Sequence, residues 1–139
     1  MSIMKKNLSY FTLFLSITVT SACFGEAVHI PLPTTKLELK DWLVGTEWKT
    51  HEYRKGKRIS ITRRFYPNGV MKNQHSNVWK VGEPIETFKY KVITEHSIQY
   101  GSLHWGAVFN DDFTLYTASS KAKKDKAKGG FRCRFEVKK

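Results

Sequence analysis

The chain is poor in cysteine and in acid: two cysteines, Cys23 and Cys133, and 12 acidic against 24 basic residues in 139. Once a leader carrying Cys23 is removed, Cys133 stands alone. A disulfide framework is then excluded, and stability must come from an apolar core. Phe131, Cys133, Phe135 and Val137 alternate with Arg132, Arg134, Glu136 and Lys138, so Cys133 reads as a small buried hydrophobe on the apolar face of a last strand. Catalytic signatures are also missing: there is no GxSxG, no HExxH, no phosphate loop and no dinucleotide fingerprint. His29, His51, His75, His96 and His104 have no partner two or four positions away, and the paired carboxylates Asp111-Asp112 fall in a turn. The expectation is a binding protein rather than an enzyme, with no metal and no cofactor.

The N-terminus carries an export pattern. Lys5 and Lys6 precede the apolar or small-residue run Phe11 to Phe24, followed by Gly25 and Ala27, which is the layout of a signal peptide over residues 1–27. A single domain would occupy 28–139, in the periplasm or outside the cell. Cutting directly before Cys23 would instead expose it as a lipoprotein acylation site and tie the protein to a membrane. Thr20 stands where that site normally has a branched aliphatic residue, so lipidation is the lesser alternative. Without residues 1–27, which hold Lys5, Lys6 and Glu26, 22 basic and 11 acidic residues remain, a net charge of +11. Such a field favours polyanions, or serves solubility alone. Export argues against intracellular nucleic acid.

The organising stretch is Arg58 to Val81. Tyr66-Pro67-Asn68-Gly69 has the chemistry of a tight turn, with Pro67 presetting φ and Gly69 free to take a positive value. On its flank Ile59, Ile61 and Phe65 share one side, and Ser60, Thr62 and Arg64 the other. Before it, Thr35 and Glu38 form a capping-box pattern and Gly45 a stop, which predicts a helix over Lys36 to Leu43 packed through Leu37, Trp42 and Leu43. Strands are expected at Val44–Tyr53, Glu86–Ile93, Ser97–Ser102, Leu103–Asn110, Phe113–Ser119 and Phe131–Lys138. Ser120 to Gly130, with five lysines, reads as a solvated loop. Seven or eight short strands with turn signals and no intervening helix predict an all-β antiparallel up-and-down meander, which closes its edges as a small barrel.

The order of these features resembles the lipocalin or calycin superfamily. The matching residues are Leu43-Val44-Gly45-Thr46-Glu47-Trp48, the Asn110-Asp111-Asp112 turn and the basic last strand with Arg132 and Arg134. The interval from Gly45 to Trp48 is one residue longer than the family pattern. The resemblance implies a lipocalin-like barrel in which Arg132 or Arg134 stacks on Trp48.

Two functions are expected from different classes. In the first, a small apolar or anionic ligand enters the barrel. Arg63 shares the face of Ile59, Ile61 and Phe65, so it either meets the ligand's carboxylate or lies near the strand end and reaches water. Trp48, Phe65, Tyr90, Trp105 and Phe109 would form the apolar wall. In the second, basic loops (Arg54, Lys55, Lys57 and Arg58, with Lys121, Lys123, Lys124, Lys126 and Lys128) hold an anionic surface polymer or a protein partner.

Overall fold

The computed structural model describes residues 31–102, 105–120 and 123–139, with backbone only at 120 and 123–126. Residues 1–27, Cys23, His29, Leu103, His104 and Lys121, and the expectations attached to them, lie outside the described residues. One helix, α1 (Lys36–Leu43), precedes eight strands: β1 (Thr46–Arg54), β2 (Lys57–Tyr66), β3 (Val70–Gln74), β4 (Glu86–Thr94), β5 (Ser97–Tyr100), β6 (Trp105–Phe109), β7 (Leu115–Ser120) and β8 (Lys123–Arg134). Each strand pairs antiparallel with the next, and β8 pairs with β1. The sheet is a closed up-and-down barrel. No helix among the described residues is long and apolar enough to cross a membrane.

The expected hairpin is β2–β3, with Asn68 (φ 64) and Gly69 (φ 67) in the left-handed region its tight reversal requires. β3 stops at Gln74. Beyond it the Gln74 side-chain amide accepts from Lys80 N and donates to Lys80 O, which holds the 75–85 connection back against the strand.

Thr35 caps α1, its hydroxyl accepting from Glu38 N at 3.2 Å. Glu38 closes the box one residue earlier than expected, on Thr34 N at 2.6 Å and Thr34 Oγ1 at 2.8 Å. The packing face also differs. Leu39 and Leu43 are fully buried whereas Leu37 is 71% exposed. Leu39 and Leu43 lie four apart on one face, and Leu37 is two positions out of phase with Leu39. That face plugs one end of the barrel, where Trp42 lies 5.3 Å from Phe113 and 5.8 Å from Phe131, centroid to centroid. Thr46 ties the plug to the wall, donating to Leu43 O at 2.6 Å and accepting from Trp48 Nε1 at 2.9 Å. Arg134 donates to Trp42 O at 3.0 Å and stacks on the Trp42 ring at 4.9 Å. The stacking partner is therefore Trp42 rather than Trp48, because the carbonyls at the helix end draw the cation. Arg132 instead donates to Asn77 O.

Four further expectations are corrected. First, the lysine-rich run is not a loop: β8 begins at Lys123. A strand across a narrow barrel needs small side chains inside, and Ala127 and Gly129 supply them while Lys128 faces water. Gly129 has no alternative, since a Cβ there would lie 2.2 Å from the Tyr116 ring. Second, β7 begins at Leu115. Phe113 precedes it with φ 55 and is buried as part of the plug. Third, β8 ends at Arg134, and a bulge against β1 places Phe131 opposite Trp48 but Cys133 opposite Glu47. Phe131 therefore packs inside, while Phe135 lies on the outer side with Tyr66 and the Arg64 guanidinium, away from Phe88 and Trp105. Fourth, Cys133 is not a lone thiol; it is disulfide-bonded.

Leu43→Ala should lower stability by about 2–5 kcal/mol, the range for truncating a buried leucine. Leu37→Ala should change it by about 0.5 kcal/mol or less. Urea denaturation of the two variants checks which face of α1 carries the plug.

Candidate functional site

Alternation along β1 turns Trp48, Thr50 and Glu52 inward, and along β2 it turns Ile61, Arg63 and Phe65 inward. The strand directions divide the interior into two halves. Trp48, Phe65, Phe109 and Tyr116 fill the half beneath α1, with Trp48 5.3 Å from Phe109 and 5.5 Å from Tyr116. The other half opens at the end opposite the helix. Between them lies Arg63, 1% exposed.

An isolated cation in that position would be prohibitively costly, so its partners define the site. Arg63 Nη2 donates to Glu52 Oε1 at 3.1 Å and Nε donates to Asn73 Oδ1 at 3.0 Å. The guanidinium lies over the Tyr100 ring at 4.6 Å and the Tyr116 ring at 5.5 Å. Burial disfavours the charged form, but Tyr116, Tyr100 and Glu52 outweigh it and raise the Arg63 pKa above the ordinary arginine value. The carboxylate is shared onward: Glu52 Oε2 meets Arg54 Nη2 at 3.4 Å, Arg54 meets Glu86 at 3.2 Å, and His75 Nε2 meets Glu86 at 3.0 Å. A ladder of alternating charge thus runs from the middle of the barrel to its rim. Arg63 Nη1 and the hydroxyls of Tyr100 and Tyr116 are buried without a well-aligned hydrogen bond, although the Tyr100 hydroxyl interacts with the guanidinium and the Tyr116 hydroxyl with Thr50. Their donor capacity is not fully used within the protein.

Above this layer is a cavity of about 350 Å³. Glu52, Asn73 and Tyr100, three of the groups that hold Arg63, form part of its lining, and Phe88, Trp105 and Ala127 complete much of the wall. Of the residues expected to bind a ligand, Trp105 lines this cavity and Arg63 lies directly beneath its lining. Trp48, Phe65 and Phe109 are instead packed in the filled half. Tyr90 is buried edge-on against Phe65 at 5.2 Å. None of these four reaches the cavity, because ring-on-ring packing under α1 leaves no space there. Glu52, Asn73 and Tyr100 were not anticipated. The available signal was that Glu52 falls in phase with Trp48 and Thr50, which places a carboxylate inside opposite the inward arginine.

The expected basic cluster is rearranged. Arg54 is engaged by Glu52 and Glu86. Lys55 and Lys57 are exposed at the β1–β2 turn, where Lys55 (φ 51) and Gly56 (φ 76) reverse the chain. Arg58 and Lys128, expected on two separate loops, lie on one outer wall formed by β2, β1 and β8. Lys121 is outside the described residues, and Lys123, Lys124 and Lys126 are placed by backbone alone. Among the described residues no group of three His, Cys, Asp or Glu side chains could hold a metal ion. No protein-family model, curated protein or solved structure matches the chain.

Burial pushes both the Tyr116 and Tyr90 phenols up to about 12. The unfolded chain would lose these protons near pH 10, before the folded protein does. Their contribution is complete below about pH 10 and is lost as pH rises toward about 12. Stability measured by urea denaturation should fall across that window, with phenolate absorbance lagging behind that of exposed tyrosine. A flat stability profile from pH 9 to 12 would contradict the placement of the two hydroxyls.

Proposed function

We propose that this protein binds a small molecule in the open half of its barrel and carries out no chemistry on it. The observation that supports this most directly is the Tyr100 hydroxyl, buried beside the Arg63 guanidinium with no well-aligned partner in the lining of a cavity of ligand size. Ligand pockets of about 300–1,000 Å³ combine apolar walls with a few fixed polar groups. Phe88 and Trp105 supply the wall, and Tyr100, Asn73 and Glu52, the groups that hold Arg63, supply the polar lining. The filled lower half leaves no room for a long chain. The ligand is therefore short, with a flat or compact apolar body and a hydrogen-bond-accepting head, a carboxylate or carbonyl. Glu52 already balances the Arg63 charge, so recognition depends on the Tyr100 hydroxyl more than on net attraction.

Export is part of the same proposal. It rests on the Lys5-Lys6 n-region and the apolar run that follows. The likeness to lipocalins in the order of helix, Trp48 and late Asp turn supports a binding role, although a barrel by itself hosts many functions.

Tryptophan fluorescence of the full chain should respond saturably to benzoate or hexanoate and not to palmitate. Trp105→Ala should weaken binding at least tenfold. Tyr100→Phe, which removes that hydroxyl from the lining without changing shape, should weaken it about fivefold, the value of one net hydrogen bond. No change in fluorescence or melting temperature with any short acid, or with the matching amides, would overturn the reading.

A further inference from the structure

The outer wall of the barrel carries a second feature. On β1 the outward residues are Lys49, His51 and Tyr53, because Trp48, Thr50 and Glu52 point in. The register aligns them with their neighbours. Ser60, His51, Lys128 and Thr117 form one row across four strands, and Thr62, Lys49, Gly130 and Leu115 form the next. Arg58 stands opposite Tyr53, and its Nη2 is 3.5 Å from His51 Nδ1. Gly130 contributes no side chain to this face, and a shallow trough of about 620 Å³ follows the gap. Its lining includes Lys49, His51, Arg58, Lys128 and Arg132, and no carboxylate. Arg132, at one end, donates to Asn77 O and lies 3.9 Å from the buried Glu47. Lys49, Arg58 and Lys128 form none of the described salt bridges.

We propose that this trough binds a linear anionic polysaccharide, its carboxylates or sulfates lying along Arg58, His51, Lys49 and Lys128 while its hydroxyls meet Ser60 and Thr117. Charge complementarity carries the assignment. Exposed cations on adjacent strands stand about 5 Å apart, and those two residues apart on one strand about 7 Å. Such a lattice suits a polymer with repeated charges better than a single ion. Burial and the cations Arg58 and Lys128 also lower the His51 pKa, the electrostatic mark of a site short of negative charge. Single-stranded nucleic acid is disfavoured, since its grooves present successive rings for base stacking. Here the rings form no series: Phe131, half-buried in the trough's lining, packs edge-on against Trp48, and Tyr53, exposed and edge-on to His51, lies outside that lining.

The test measures affinity of the full chain for a fluorescent heparin octasaccharide at 50 and 200 mM salt. The double variant Lys49→Gln/Lys128→Gln is compared with Lys89→Gln/Lys91→Gln, which removes the same charge from exposed positions on β4. The trough variant should bind at least tenfold more weakly and show a shallower salt dependence, and the β4 variant should lose no more than about twofold. An oligonucleotide of equal charge should bind at least tenfold more weakly than the octasaccharide. Equal losses in the two variants would show attraction to net charge alone. That result, equal affinity for the oligonucleotide, or no binding at 50 mM salt would each overturn the proposal.

Discussion

A fully buried guanidinium holds the interior of this barrel in register. Arg63 cannot be solvated where it lies, so Glu52 from β1, Asn73 from β3, Tyr100 from β5 and Tyr116 from β7 are all positioned around it. Four strands that share no local sequence are tied to one side chain. The lower half can then pack as a continuous aromatic core, and the upper half stays open because its inward positions are polar or small. Ala107, Ala118, Ala127 and Gly129 on β6 to β8 leave the width that the arginine and two tyrosines occupy. Breaking such an arrangement costs about 3–5 kcal/mol when one charged partner is removed, because the other is stranded in low dielectric.

A second buried arginine does related work on the outside. Arg64 donates from Nε to Glu47 at 2.6 Å and is covered by Trp79 at 4.5 Å and Phe135 at 4.3 Å. Neighbouring arginines in sequence thus face opposite sides of the sheet, and each organises one of them. The inner one shapes the cavity. The outer one fastens the 75–85 connection and the C-terminal segment onto the wall.

Much of the architecture was legible in the sequence. Period-two alternation and the turn at Pro67-Asn68-Gly69 identified the strands, and the Thr35 cap and Gly45 stop bounded α1 at its true ends. What failed did so for physical reasons. The lysine run at 120–130 looked like a loop because strand signals favour bulky apolar residues, whereas this barrel needed alanine and glycine at those inward positions. Leu37 was assigned to the core on hydrophobicity without regard to helical phase. Phe135 left the expected face because a bulge between Phe131 and Cys133 breaks the alternation, and no turn residue announces it. In the candidate site, the parity of Arg63 and Trp105 was readable, but closure of the barrel, which brings Tyr100 and Tyr116 over Arg63, depends on pairings distant in sequence.

The central claim is that Arg63 and Glu52 act as one unit. A double-mutant cycle with Arg63→Met and Glu52→Leu, followed by urea denaturation, addresses it directly. Each single variant should lose about 3–5 kcal/mol, and the double variant should be more stable than either, because it strands no charge. Additive losses, agreeing to within about 0.5 kcal/mol, would mean that the guanidinium does not depend on the carboxylate, and would contradict the account.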